Sequence, residues 1–168
     1  GGFDSLTLSD AVFGGVFYGG DSGLAGVSIG AITVTNGNFN TQGSDLVAQI
    51  DPNNSTLAQR AATISSIGNI TVLNGRFDAD DIFSDDNVGS ITVTSLDTTN
   101  FLSGNSVGTI TATYNDLSVS AVDVAGNFGQ VTSADNINFA NDGGSYRVNG
   151  NLVGITTTGN PVNDTDND

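Results

Sequence analysis

The acidic residues are the first candidates for chemistry in this chain. All 18 are Asp, and five of them, Asp78, Asp80, Asp81, Asp85 and Asp86, fall within nine consecutive positions. If the two arms of that segment meet at a turn, three or more carboxylates could share Ca²⁺, a hard cation that takes oxygen ligands. Like charges so close would otherwise repel. The spacing matches neither a twelve-residue calcium loop nor a Gly-Gly-x-Gly-x-Asp nonapeptide. The competing reading is Asp as a corner residue that keeps the surface soluble. Residues 163–168, NDTDND, suggest a calcium loop too, without its Gly and terminal Glu. Paired carboxylates also serve glycoside hydrolysis. Here Arg60, Arg76 and Arg147 are scattered, and only Tyr18, Tyr114 and Tyr146 offer hydroxyl-bearing rings. No catalytic residue is assigned, and the chain is not expected to be an enzyme.

The missing residue types narrow the chemistry further. There is no Cys, His, Lys, Glu, Met or Trp, and the net charge is −15. Ser–His–Asp and Cys–His sites are therefore excluded, as are disulfides and thiolate or imidazole metal centres. Three Arg cannot displace the counterions of nucleic acid, and an acidic surface is repelled by anionic lipid. No run of about 18 apolar residues exists to cross a membrane as a helix. No signal peptide is visible and the chain starts at Gly1, so it is read as a mature region or a piece of a longer protein.

Threonine supplies the second candidate site. Thr33/Thr35, Thr92/Thr94 and Thr111/Thr113 form Thr-x-Thr pairs, and Thr71 and Thr132 extend one column. Leu73 and Ala134 interrupt the other, which Thr156/Thr158 would rejoin. A flat array of hydroxyls and methyls resembles the ice-binding face of some β-solenoid antifreeze proteins, and it could equally meet a glycan. The competing reading is that Thr is favoured on any exposed strand.

Such an array needs strands stacked in register, and the sequence repeats accordingly. Gly-x-(Ile/Val)-Thr occurs at Gly30, Gly68, Gly89, Gly108 and Gly129, with a compressed Gly-Ile-Thr at Gly154. The intervals are 38, 21, 19, 21 and 25 residues. The first implies a divergent copy or an insertion. After each marker, alternation as in Ile91-Thr92-Val93-Thr94 sends Ile and Val one way and Thr the other. A polar corner follows, such as Asn36-Gly37 or Asn74-Gly75. A large apolar residue then returns at Phe39, Phe77, Leu96, Leu117 or Ile137, and another later, for example Phe83, Phe101, Val124 or Phe139.

Strands this short cannot stand alone, whereas stacked coils pair each with its equivalent about 4.8 Å away. The expected fold is all-β, a right-handed parallel β-helix of about 20 residues per coil. About eight coils would make a rod of roughly 35–40 Å. The alternative is an antiparallel β-sandwich. Residues 1–29 form an N-terminal coil or cap, 30–159 the solenoid and 160–168 an acidic tail or linker. Residues 51–66 depart from the repeat. They read either as an inserted short helix capped by Asn53, Asn54 or Ser55, or as a loop with a weak strand at 62–64.

The markers, the absence of Cys and the Asp-rich, Lys-free balance resemble repeat-built bacterial surface proteins: S-layer subunits, large adhesins and β-helical passengers of secreted proteins. That resemblance covers about residues 30–159. It implies an extracellular, cell-surface or secreted location and a structural or adhesive role as a rigid spacer or lattice element, often with calcium dependence. Partners would be other copies, neighbouring domains of the same protein or glycan. Right-handed β-helices also include polysaccharide lyases and hydrolases, a third expectation for function.

Overall fold

A computed structural model of the chain describes residues 3–10, 13–14, 17–18, 28–48, 66–84, 86–114, 116–139 and 146–158. Among them are thirteen strands and no helix: β1 Phe3–Ser9, β2 Phe13–Gly14, β3 Phe17–Tyr18, β4 Ile29–Thr35, β5 Phe39–Ala48, β6 Ile70–Ser84, β7 Ile91–Ser103, β8 Ile110–Ala112, β9 Leu117–Val124, β10 Phe128–Ser133, β11 Ile137–Phe139, β12 Tyr146–Val148 and β13 Leu152–Thr157. Every pairing between these strands is parallel. The fold is a β-solenoid, and the antiparallel sandwich is excluded.

The marker strands build one ladder, β1-β4-β6-β7-β8-β10-β13. Like residues stack on like: Leu6, Ile32, Ile70, Ile91, Ile110, Val131 and Ile155 form a single column. Ile29, Ile67, Val88, Val107, Phe128 and Leu152 form another. Seven strands give six steps, about 29 Å at the parallel-strand spacing. The described ladder thus holds seven coils where about eight are expected.

The remaining strands form the other walls of the coil. Phe13, Phe39, Phe77, Leu96, Leu117 and Ile137 stack in one column. In it the rings of Phe39 and Phe77 lie 5.4 Å apart, centroid to centroid. Ile82, Phe101 and Val122 stack in a second inward column, all of them buried. Phe83, expected among the returning apolar residues, belongs instead to the outward column with Leu102 and Asp123. Its neighbour Ile82 fills the core, because alternation permits only one of two adjacent residues to face inward.

The uneven repeat intervals have a structural cause. Val72 pairs with Val93 and Arg76 with Ser95, so β6 carries two extra residues at the corner. These belong to the Asn74-Gly75 turn, with Asn74 in the left-handed region at φ 58° and Asn36 beneath it at φ 54°. The 38-residue interval holds no second coil, because β4 and β5 both pair directly with β6. A small part of the excess is a bulge between Thr41 and Asp45. The rest lies between Ala48 and Ser66, where the expected helix or loop at 51–66 falls almost wholly outside the described residues. The acidic tail at 160–168 lies outside them entirely. At the other end β1 is a regular member of the ladder.

Bends between walls are held by side chains that reach one coil along. Ser106 donates its backbone N–H to Asn87 Oδ1 at 3.2 Å, Asn127 to Ser106 Oγ at 3.1 Å and Asn151 to Asn127 Oδ1 at 3.0 Å. Each corner thereby satisfies a backbone donor that no ladder bond uses.

The marker glycines are required by close approach of the coils. A Cβ on Gly108 would meet Ser90 and Gly89 atoms at 2.7–2.9 Å, and one on Gly129 would meet the Gly108 carbonyl at 2.5–2.6 Å. Gly154 is different. It stands opposite Gln130, one place along from the glycine column, and a Cβ there would meet nothing within 4 Å. The compressed sixth marker is therefore aligned by its Ile-Thr and not by its glycine. Gly108→Ala should destabilise the fold by about 1–3 kcal/mol through overpacking, whereas Gly154→Ala should fall within about 0.5 kcal/mol of wild type. Paired thermal melts check both, and equal midpoints would contradict the assignment.

Candidate functional site

The outward face of the marker ladder carries three columns. The central one is Thr7, Thr33, Thr71, Thr92, Thr111, Thr132 and Thr156, stacked without interruption. Thr7 lengthens the set expected from sequence by one coil, and Thr156, expected with Thr158 to rejoin the array, falls in this central column. On one side run Ser9, Thr35, Leu73, Thr94, Thr113, Ala134 and Thr158, where register places both expected interruptions. On the other run Ser5, Ala31, Asn69, Ser90, Thr109, Gln130 and Gly154. Sequence reading missed this third column, although it is the variable x of the marker.

None of these twenty-one residues is charged, in a chain with 18 Asp and 3 Arg. Among the described residues Asp78 stacks on Asp97 and Arg147 on Asp123 on other walls, while Asp4, on β1, lies on the ladder beside these columns. The three columns themselves are uncharged.

The columns differ in how their hydroxyls are used. Thr113 Oγ1 donates to the Val93 carbonyl at 3.1 Å, Thr158 Oγ1 to that of Ser133 at 3.4 Å, and Thr94 Oγ1 accepts from Gly75 N–H at 3.3 Å. Those hydroxyls are engaged in the scaffold. Among the described residues, no hydrogen bond within the protein engages the hydroxyls of Thr33, Thr71, Thr92, Thr111 or Thr132. The central column offers a row of hydroxyls and methyls about 4.8 Å apart with capacity for an external partner.

Of the expected metal cluster, only the Asp78 and Asp86 side chains lie among the described residues. Asp78 is buried at 8% exposure, with Arg76 Nε 3.6 Å from its carboxylate. Asp86 lies at the corner beyond β6, where its Oδ1 accepts from Asn87 Nδ2 at 3.0 Å and Asn105 Nδ2 at 3.1 Å. Asp80 and Asp81 lie on β6, and the register puts Asp81 between Asp45 and Asn100. Their side chains, and Asp85, lie outside the described residues. Among the described residues no three acidic groups converge on a point that could hold a cation. Calcium therefore has no described ligand set here, and no role is built on it.

Two of the three arginines tie coils together. Arg76 Nη2 reaches Asp97 at 2.6 Å, and Arg147 donates twice to Asp123, at 2.8 and 3.0 Å. The hydrogen bonds and charge of Asp123 raise the Arg147 pKa above its ordinary value. A raised pKa in the folded state stabilises below the ordinary arginine range and fades only above it, so this clamp holds at every physiological pH.

Replacing Thr92 and Thr111 together by Val should leave the melting midpoint within the equivalent of about 0.5 kcal/mol, because no internal bond is lost. Ser103 is the contrasting case: its buried hydroxyl donates to the Asp86 carbonyl at 2.8 Å. Ser103→Ala should cost about 0.5–1.5 kcal/mol through the lost hydrogen bond, the Asp86 carbonyl keeping its bond from the Asn105 N–H. Chemical denaturation of both variants checks the distinction. Set against known protein families, characterised proteins and solved structures, the chain matches none.

Proposed function

We propose that the chain is a structural or adhesive module of a secreted or cell-surface protein, a rigid spacer or lattice element that works by its shape. The observation that carries this reading is the uninterrupted parallel ladder from β1 to β13. Bending such a stack must open a whole row of backbone hydrogen bonds on one wall while compressing side chains on another. Among the described residues the register shifts are few, one at the β6 corner and one bulge in β5. The Lys-free, Cys-free, acidic composition and the resemblance to S-layer subunits and adhesins support an extracellular location. Antibodies raised against the 168-residue chain should label intact cells that make it, and external protease should remove the label. Labelling only after permeabilisation would contradict the proposal.

The uncharged columns favour a second reading, an ice- or glycan-binding solenoid that uses the central Thr column. A neutral, regular surface with unengaged hydroxyls suits a flat ordered partner better than an ionic one. In the ice version, wild type shows thermal hysteresis, and Thr92→Tyr with Thr111→Tyr loses it without lowering the melting midpoint. Absence of hysteresis in wild type ends that version.

A further inference from the structure

Two exposed apolar side chains stand on one margin of the marker ladder. Tyr114 follows Thr113 there, and its N–H donates to the Thr94 carbonyl at 3.3 Å. It is 60% exposed, and among the described residues no hydrogen bond within the protein engages its hydroxyl. Leu73, in the column of Thr35 and Thr94, is 40% exposed. The core does not call for either, since the inward places beside them are filled by buried Val72 and Ala112. Their coils are two steps apart, about 9.6 Å. Between and beside them run the unengaged hydroxyls of Thr71, Thr92 and Thr111.

Charge and shape narrow what such a surface can hold. Asp4, Asp10 and Asp135 border the three columns, on a chain of net charge −15. An anionic partner is therefore repelled. A cationic partner finds no carboxylate in the columns themselves. The columns span four residue steps along the strands, about 13 Å. A small folded domain is about 30 Å across, so the strip suits an extended polymer. Backbone N–H and C=O groups of the ladder are spent on neighbouring coils, which leaves none on this face to hold a peptide by strand addition.

An extended β-1,4-linked polysaccharide has the complementary chemistry. Its rings carry hydroxyls at the rim and C–H groups on their faces. Each sugar advances the chain by a length comparable to the coil spacing of about 4.8 Å. We infer that the ladder face takes a neutral, extended polysaccharide lying along the solenoid axis, with the central Thr hydroxyls bonded to sugar hydroxyls and Tyr114 and Leu73 packed on the C–H faces of sugar rings. Thr hydroxyls both donate and accept, as sugar hydroxyls do. The Tyr114 ring supplies a large apolar face with a polar tip. This rests on the reading of the Thr face as a binding surface and names its ligand.

The test is affinity electrophoresis of the 168-residue chain in native gels. The probes are hydroxyethyl cellulose and glucomannan, both neutral β-1,4-linked chains. Carboxymethyl cellulose serves as the anionic counterpart, and dextran as a neutral glucan with flexible α-1,6 links. Wild type should be retarded by at least one of the first two and by neither of the others. Tyr114→Ala should weaken retardation about three- to tenfold, with an unchanged melting midpoint because its ring is already exposed. Leu102→Ala, on another wall, should be retarded as wild type is. Wild type that migrates freely through both neutral β-1,4 gels would overturn the proposal. If that same protein shows thermal hysteresis, the Thr face survives as an ice-binding surface; if it shows none, the face reading falls as well. Equal retardation by carboxymethyl cellulose or dextran, or a Tyr114→Ala variant that binds as wild type, would also overturn it.

Discussion

Every coil is tied to the coil beneath by rows of backbone hydrogen bonds, and that spacing of about 4.8 Å dictates the rest of the structure. At such separation a side chain meets first the side chain at the same place one coil away. Any mismatch in bulk is repeated along the stack, so the columns become uniform: Ile on Ile, Phe on Phe, Thr on Thr. Glycine is enforced where coils draw closest, because a Cβ on Gly68, Gly89, Gly108 or Gly129 would intrude on backbone. The corners obey the same constraint through Asn and Ser side chains that reach to the next coil's N–H.

This constraint also sorts charge. Stacked Asp on Asp is unfavourable at short range; Arg76 offsets the Asp78–Asp97 stack, and Arg147 pairs with Asp123 across coils. The three outward columns of the ladder avoid the problem by carrying no charge.

The marker tetrapeptide made the architecture legible because stacking imposes near-identity on residues about twenty positions apart. Ile70, Ile91 and Ile110 fall into register as their spacing implies. Gly154 looked like a sixth marker glycine, yet the Ile-Thr pair sets register, since those residues make the ladder and the core. Phe83 and Ile82 could not be told apart by hydrophobicity, and only the bend within β6 decides which faces inward. The central Thr column was visible in Thr33, Thr71, Thr92, Thr111 and Thr132, but Thr7 lacked the marker glycine and was passed over. Which hydroxyls are engaged by the scaffold depends on backbone carbonyls and N–H groups that no spacing reveals. In the Asp segment, closeness in sequence does not set closeness in space: Asp78 lies on the β6 wall and Asp86 at the corner that follows it.

The central claim is that adjacent coils run parallel with like residues superposed. The chain has no Cys, so nitroxide labels can be placed at will through Thr92→Cys and Thr111→Cys. The account predicts strong dipolar broadening in the electron paramagnetic resonance spectrum of that pair, one coil apart. Weaker broadening is expected for Thr92→Cys with Thr132→Cys, two coils or about 9.6 Å apart. Spectra of the Thr92/Thr111 pair that equal the sum of the single labels would contradict it.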